Sequence, residues 1–181
     1  MALTKEELLE KITARYGESI RMDEDSLDLP AVIIDSNKAH DLIKFLRDEP
    51  SLSFNFMTDL CGAHFPDNAP EAQFALIYHL HNWLDNVRIR IKAFLNAENP
   101  SIDTMCDLYL AANWMERETY DFYGIDFKGH PDLRRILNMD EMESFPMRKE
   151  FPLEDQGRTD KDDRYFGREP QTNNVPNNEL R

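Results

Sequence analysis

Apolar residues recur along the first half of the chain with two distinct periods. Leu8, Ile12 and Tyr16 fall on one face at helical spacing. Thr4-Lys5-Glu6-Glu7 has the form of a capping box, in which the Thr4 hydroxyl accepts from the Glu7 amide and Glu7 reaches back, while Leu3 staples against Leu8. Gly17 then stops the helix, because it tolerates the left-handed conformation. After an acidic loop from Met22 to Asp28, the β-branched run from Pro30 to Ile34 reads as a strand, and Asp35-Ser36-Asn37 caps a following helix. Ala39, Leu42, Ile43 and Leu46 give that helix its apolar stripe, and Pro50 forbids its continuation.

From Leu52 to Leu95 the period becomes two. Phe54, Phe56, Thr58 and Leu60 alternate with Ser53, Asn55, Met57 and Asp59. Phe74, Leu76, Tyr78 and Leu80 alternate with Ala75, Ile77, His79 and His81, and Val87, Ile89 and Ile91 with Arg88, Arg90 and Lys92. The pattern predicts a meander of three strands. Asp85-Asn86 is suited to a two-residue hairpin turn, since Asn accepts positive φ, and that turn sets Leu84 opposite Val87, Leu80 opposite Ile91 and His79 opposite Lys92. One face is then apolar. The other carries Arg88, Arg90, Lys92, His79, His81 and Trp83, which is either a docking stripe or an ordinary solvated face. His79 and His81 share that face, but no third ligand accompanies them, and no metal site is expected there.

Pro100-Ser101-Ile102-Asp103 predicts the opening of a further helix, with Ser101 as its cap. Leu108, Ala112, Met115, Thr119 and Phe122 supply its packing stripe. Asn113, Glu116, Arg117, Tyr120 and Asp121 lie on the other side, where Asn113/Arg117 and Arg117/Asp121 at i,i+4 offer an intrahelical polar network. Gly124 ends the helix. Beyond it, Ile125, Phe127, Leu133, Ile136, Leu137, Phe145, Phe151 and Leu153 are scattered singly between charges and prolines, as anchors rather than a continuous face. The expected fold is therefore α+β: a small antiparallel or mixed sheet packed by helices over residues 1–124, followed by an extended docking segment over 125–181. Within that segment the polar stretch after Glu154 offers only Tyr165 and Phe166 as anchors.

Composition narrows the function. The 181 residues suit one core, and the net charge of -14 argues against duplex nucleic acid as a partner. No apolar run approaches the roughly 20 residues needed to cross a bilayer, and the start MALTKEELLEK lacks a signal-type apolar region. A cytosolic or peripheral location is expected. Cys61 and Cys106 are the only cysteines, without CxxC or Cys/His metal spacing. An iron–sulfur cluster generally takes about four thiolates, so this chain alone cannot complete one, and both cysteines are expected as free thiols.

GxGxxG, P-loop, GxSxG and HExxH motifs are absent. Glu116, Glu118, Asp121 and His130 are the one acid/base set close in sequence, as a hydrolase would need. However, Glu116 and Glu118 point about 200° apart on a helix, and His130 before Pro131 reads as a turn residue. The alternative is that Arg117, Arg134, Arg135, Arg148 and Lys149 contact carboxylates within the chain or across an interface.

The run from Glu116 to Ile125 (ERETYDFYGI), then Phe127 to Leu137 (FKGHPDLRRIL), then Pro146 to Leu153 (PMRKEFPL), strongly resembles the signature of the C-subunit family of bacterial NADH-quinone oxidoreductase, respiratory complex I. The resemblance implies a non-catalytic, cofactor-free subunit of the peripheral arm, supporting electron transfer from NADH to quinone. It implies NAD, FMN, iron–sulfur clusters and quinone on other subunits. The implied neighbours are the quinone-pocket and terminal-cluster subunits, on the cytoplasmic face of the bacterial inner membrane. Glu116, Arg117, Glu118, Asp121, Gly124, His130, Pro131, Arg134, Arg135, Arg148, Lys149, Phe151 and Pro152 are the expected partner interface. A scaffold subunit of a related membrane-bound hydrogenase is the alternative, and a stand-alone hydrolase a further one.

Overall fold

The capping box forms as the sequence dictates. Glu7 N donates to Thr4 Oγ1 and Thr4 N to Glu7 Oε2, both at 3.2 Å, opening helix α1 over Lys5–Tyr16. The computed structural model describes residues 3–151. Leu8 and Ile12 are fully buried, Leu3 lies close to the core, and Gly17 takes φ +50 at the helix end. Strand β1, Ile20–Met22, pairs antiparallel with β2, Ala31–Asp35. Helix α2, Ser36–Asp48, buries Ala39, Leu42, Ile43 and Leu46 completely, and the chain leaves it just before Pro50. Asp35 stands at its N-cap without a side-chain bond to the helix.

Three long strands complete a five-stranded sheet in the order β1-β2-β5-β4-β3, where β3 is Phe56–His64, β4 Phe74–Asn82 and β5 Val87–Leu95. The β3-β4 and β4-β5 pairs are antiparallel, and β2 and β5 are parallel. Leu76, Tyr78, Leu80, Ile89 and Ile91 face the core with α1 and α2.

Two details of the expected meander are corrected. The β4-β5 register sets His79 opposite Arg90, Leu80 opposite Ile89 and Tyr78 opposite Ile91. Each partner is thus displaced by two from the expected one, and a longer turn replaces the two-residue hairpin. Asn82 Oδ1 accepts from the amides of Leu84 and Asp85, at 2.8 and 3.1 Å, which rolls the chain over before Asn86 takes φ +54. A shift of two keeps every side chain on its expected face, so the faces survive while the pairs change. In β3 the ladder slips between Met57 and Asp59. Phe54 and Met57 are buried while Phe56 is turned outward against Trp83, so Phe54, Phe56 and Leu60 do not share a face.

The basic stripe is covered only in part, Arg88 and Trp83 remaining exposed. The acidic loop between β1 and β2 folds over it: Lys92 Nζ meets Asp23 Oδ2 at 2.5 Å, and Arg90 reaches Asp28 at 3.4 Å and the Ser26 hydroxyl at 3.1 Å. Arg90 also donates to His79 Nε2 at 2.9 Å, and His81 pairs with Asn86, so the two histidines have separate partners.

Residues 101–103 are strand β6, not a helix start. They pair in parallel with β7, Asp126–Lys128, and the intervening helix α3 runs over Ala112–Tyr123. Ile125 and Phe127 are buried in the main core. The compact unit accordingly extends to Phe151, beyond the expected boundary at Gly124. Pro152, Tyr165, Phe166 and the rest of the tail lie outside the described residues.

Candidate partner interface

Helix α3 turns its charged side inward. Glu116 and Asp121 are completely buried and Arg117 nearly so, whereas the expected packing stripe is mixed: Ala112 and Thr119 are buried, and Leu108, Met115 and Phe122 are only partly covered. The expected intrahelical network is replaced by bonds to chain segments on either side.

Glu116 grips the turn after β6. Its carboxylate accepts from Thr104 Oγ1 at 2.5 Å, from Met105 N at 2.6 Å and from the Cys106 thiol at 3.6 Å. Burial raises its pKa above the ordinary value, and these three donors offset that only in part.

Asp121 grips the ribbon beyond β7. Oδ2 accepts from the consecutive amides of Ile136, Leu137 and Asn138, at 3.1, 2.8 and 2.9 Å, while Oδ1 receives Arg135 Nη1 at 2.7 Å and Asn138 Nδ2 at 3.0 Å. Burial would raise this carboxyl, yet the amides of Asn138 and Leu137 together with Arg135 outweigh it and hold the group well below the usual carboxylate range. Arg135 continues to the Met142 and Ser144 carbonyls. Arg117 donates to the carbonyls of Arg134 and Arg135 at 3.2 and 3.3 Å and lies over the Trp114 ring.

The C-terminal end of α3 holds the next part of the ribbon. Arg148 Nε donates to Tyr123 O at 2.8 Å, a cation on a terminal helix carbonyl where the helix dipole favours it. Its guanidinium also lies over Phe145 and Phe74. Gly124, at φ +70, makes this closure possible: a Cβ there would stand 2.5 Å from Phe145 and 2.7 Å from Arg148. Gly62 plays the corresponding part on β3, since a Cβ there would meet Tyr123 at 2.7 Å and Thr119 at 2.9 Å. Finally Lys149 N donates to Nδ1 of His64, whose ring stacks on Phe74.

His130 occupies the turn expected of it, with Nδ1 accepting from Asp132 N at 3.0 Å and Nε2 lying 3.2 Å from Asn113 O. The structure thus divides the sequence-derived set. Glu116, Arg117, Asp121, Gly124, Arg135 and Arg148 are engaged within the chain, while Glu118, Pro131, Arg134, Lys149 and Phe151 are exposed. Glu116 and Asp121 are fully buried, while His130 is only partly covered. Sequence reading named Leu137 as an anchor but missed Trp114, Met139 and Met147; all four turn outward and are 47 to 74% exposed. For the ribbon residues the signal was their isolation among charges, but which of them turn outward depends on the backbone bonds that hold the ribbon, such as those of Asp121 to residues 136–138.

Residues 32–157 match the family described as respiratory-chain NADH dehydrogenase, 30 kDa subunit. The NADH-quinone oxidoreductase C-subunit of Roseiflexus sp. (strain RS-1) is 36% identical over 94% of this chain and 98% of its own length. A C-subunit of the same enzyme from Rhizobium meliloti (strain 1021) is 45% identical over 61% of this chain and 59% of its own. Among solved structures, a trypsin-resistant fragment of Nqo5 aligns with TM-score 0.59 and 31% identity, covering 71% of this chain and 98% of the fragment. A chain of an archaeal membrane-bound sulfane sulfur reductase shares the fold, with TM-score 0.67 and 21% identity over 82% of this chain and 85% of that one.

Proposed function

The chain belongs to the family of the respiratory-chain NADH dehydrogenase 30 kDa subunit, the C-subunit of NADH-quinone oxidoreductase, and on that premise we propose that it is a non-catalytic structural subunit of the peripheral arm. It supports electron transfer from NADH to quinone by holding other subunits in place. The observation that carries this reading is the direction of the signature's charges. They close on the chain itself, and the clasp so formed presents Trp114, Leu137, Met139 and Met147 outward on a fixed backbone. Isolated apolar anchors on a rigid support are what an assembly interface uses.

The partners in this reading are the quinone-pocket and terminal-cluster subunits. NAD, FMN, iron–sulfur clusters and quinone reside on other chains, and the complex sits at the cytoplasmic face of the bacterial inner membrane. Among the described residues no helix is long and apolar enough to span a bilayer, which accords with a peripheral position. Co-expression with the two partner subunits tests the proposal. Trp114→Ser combined with Leu137→Ser is expected to abolish co-purification while leaving the circular dichroism of the isolated chain unchanged. Undiminished assembly of this variant would refute it.

The fold shared with the sulfane sulfur reductase chain supports a second reading, a scaffold in a related membrane-bound respiratory complex such as a hydrogenase. Co-purifying flavin- and NADH-binding subunits favour the first reading, and a nickel-bearing partner the second.

A further inference from the structure

The two buried carboxylates of α3 are not treated alike. Asp121 has a guanidinium against it, but Glu116, equally inaccessible, is bonded only by a hydroxyl, an amide and a thiol. Among the described residues no lysine or arginine pairs with Glu116. A buried carboxylate in a protein is ordinarily paired with a cation or coordinates a metal. Beside it stand two further metal-ligating side chains: one ligand atom each from Cys106, Glu116 and His130 lie within 4.8 Å of one another.

We propose that Cys106, Glu116 and His130 form a binding site for a zinc-like divalent cation, with solvent in the fourth position. The donor set of one thiolate, one carboxylate and one imidazole is that of a borderline-soft tetrahedral metal and not of calcium or magnesium. Two ligand atoms are already spaced for it. Bonds of about 2.3 Å to sulfur and about 2.0 Å to oxygen place S and O roughly 3.5 Å apart on a tetrahedron, and Cys106 Sγ lies 3.6 Å from Glu116 Oε2. The imidazole must close in by about 1 Å, within the reach of a side chain on a turn. Thr104 and Met105 stay bonded to the carboxylate and orient it, as outer partners of metal ligands do. Cys106 and His130 are each only half-buried, which leaves an entry path.

The protons balance. The thiol, held up to about 11 by burial and the neighbouring carboxylate, loses its proton to solvent as the S–metal bond forms. His130 binds through one ring nitrogen, which gives up its present partner, Asn113 O for Nε2 or Asp132 N for Nδ1, and its proton sits on the other. Thiolate and carboxylate together neutralise the dication, and the metal fastens the turn after β6, α3 and the 129–132 turn to one another.

The full chain with Co2+ or Zn2+ alone tests this. Co2+ is expected to produce thiolate-to-metal charge-transfer absorption, retained in Cys61→Ala and lost in Cys106→Ala. Zn2+ is expected to bind one per chain in competition with a chromophoric chelator, releasing one proton and raising the melting temperature. Affinity is expected to fall by roughly a hundredfold or more in Cys106→Ala and in His130→Gln. Both substituted side chains are half-exposed, and circular dichroism checks that the fold persists. The proposal is overturned by absence of the charge-transfer band from the unaltered chain, by its persistence in Cys106→Ala, or by equal zinc affinity in all variants. None of these outcomes bears on assembly with other subunits.

Discussion

Asp121 Oδ1 and Arg135 Nη1 meet at 2.7 Å with both side chains closed to solvent, 0% and 8% exposed. Removing one charge from such a pair leaves the other stranded. Asp121→Asn is expected to destabilise the protein by about 3–5 kcal/mol, read from urea unfolding, with accelerated hydrogen exchange at the amides of residues 136–138. The same carboxyl fixes a pH response. Its folded-state pKa is lowered from the ordinary 3.8, so its contribution is complete above that value and declines as pH falls below it. In the Asn variant this part of the acid unfolding profile should be flattened.

Gly124→Ala meets two obstacles at once, a left-handed backbone and the ring of Phe145. A loss of about 2 kcal/mol is expected, and Arg148 should release the Tyr123 carbonyl. Arg148→Lys, which keeps the charge but not the planar fork, should lose part of the same stabilisation. Thermal melts of the two single variants and the double variant measure the overlap, and strict additivity would show that the glycine and the arginine act separately.

His64 accepts the Lys149 amide only while Nδ1 is unprotonated. Burial lowers its pKa below the ordinary 6.5, and the nearby Arg148 and Lys149 charges reinforce this against Glu150. Because the folded-state value is depressed, stability is full above pH 6.5 and is lost as pH falls from there through the folded-state value. Urea midpoints compared at about pH 7.5 and about pH 5 should fall less in His64→Phe than in the unaltered chain.

Lys92 and Arg90 fasten the same acidic loop with unequal strength. Asp23, the partner of Lys92, has a side chain only 6% exposed, whereas Asp28, the partner of Arg90, is 66% exposed. Lys92→Ala strands a covered carboxylate and should cost about 2 kcal/mol. The Arg90–Asp28 coupling in a double-mutant cycle should be the weaker of the two, since water screens it.

Elements closed by local chemistry were legible in the sequence. The capping box at Thr4, the α2 stripe and the sheet faces depend on residues a few positions apart. The β4-β5 register was not, because alternation with period two is unchanged by a shift of two and only the Asn82 turn decides. Ser101 looked like a helix cap because its true partner, Asp126, is distant in sequence. The burial of Glu116 and Asp121 was hidden for a related reason. A charged helix face reads as solvated until the amides and guanidinium that compensate it are known, and these arrive from the segments before and after α3.

Between Arg134 and Ser144 the ribbon is held largely through its backbone, with the side chains of Arg135 and Asn138 on Asp121 added: Arg117 takes the carbonyls of 134 and 135, Asp121 the amides of 136–138, and Arg135 the carbonyls of 142 and 144. Side chains from Met139 to Glu143 contribute little to that hold. Apart from Arg135 and Asn138, whose side chains meet Asp121, the segment is therefore a replaceable cassette: its remaining residues are open to exchange to suit a different neighbour without renegotiating the fold that presents them.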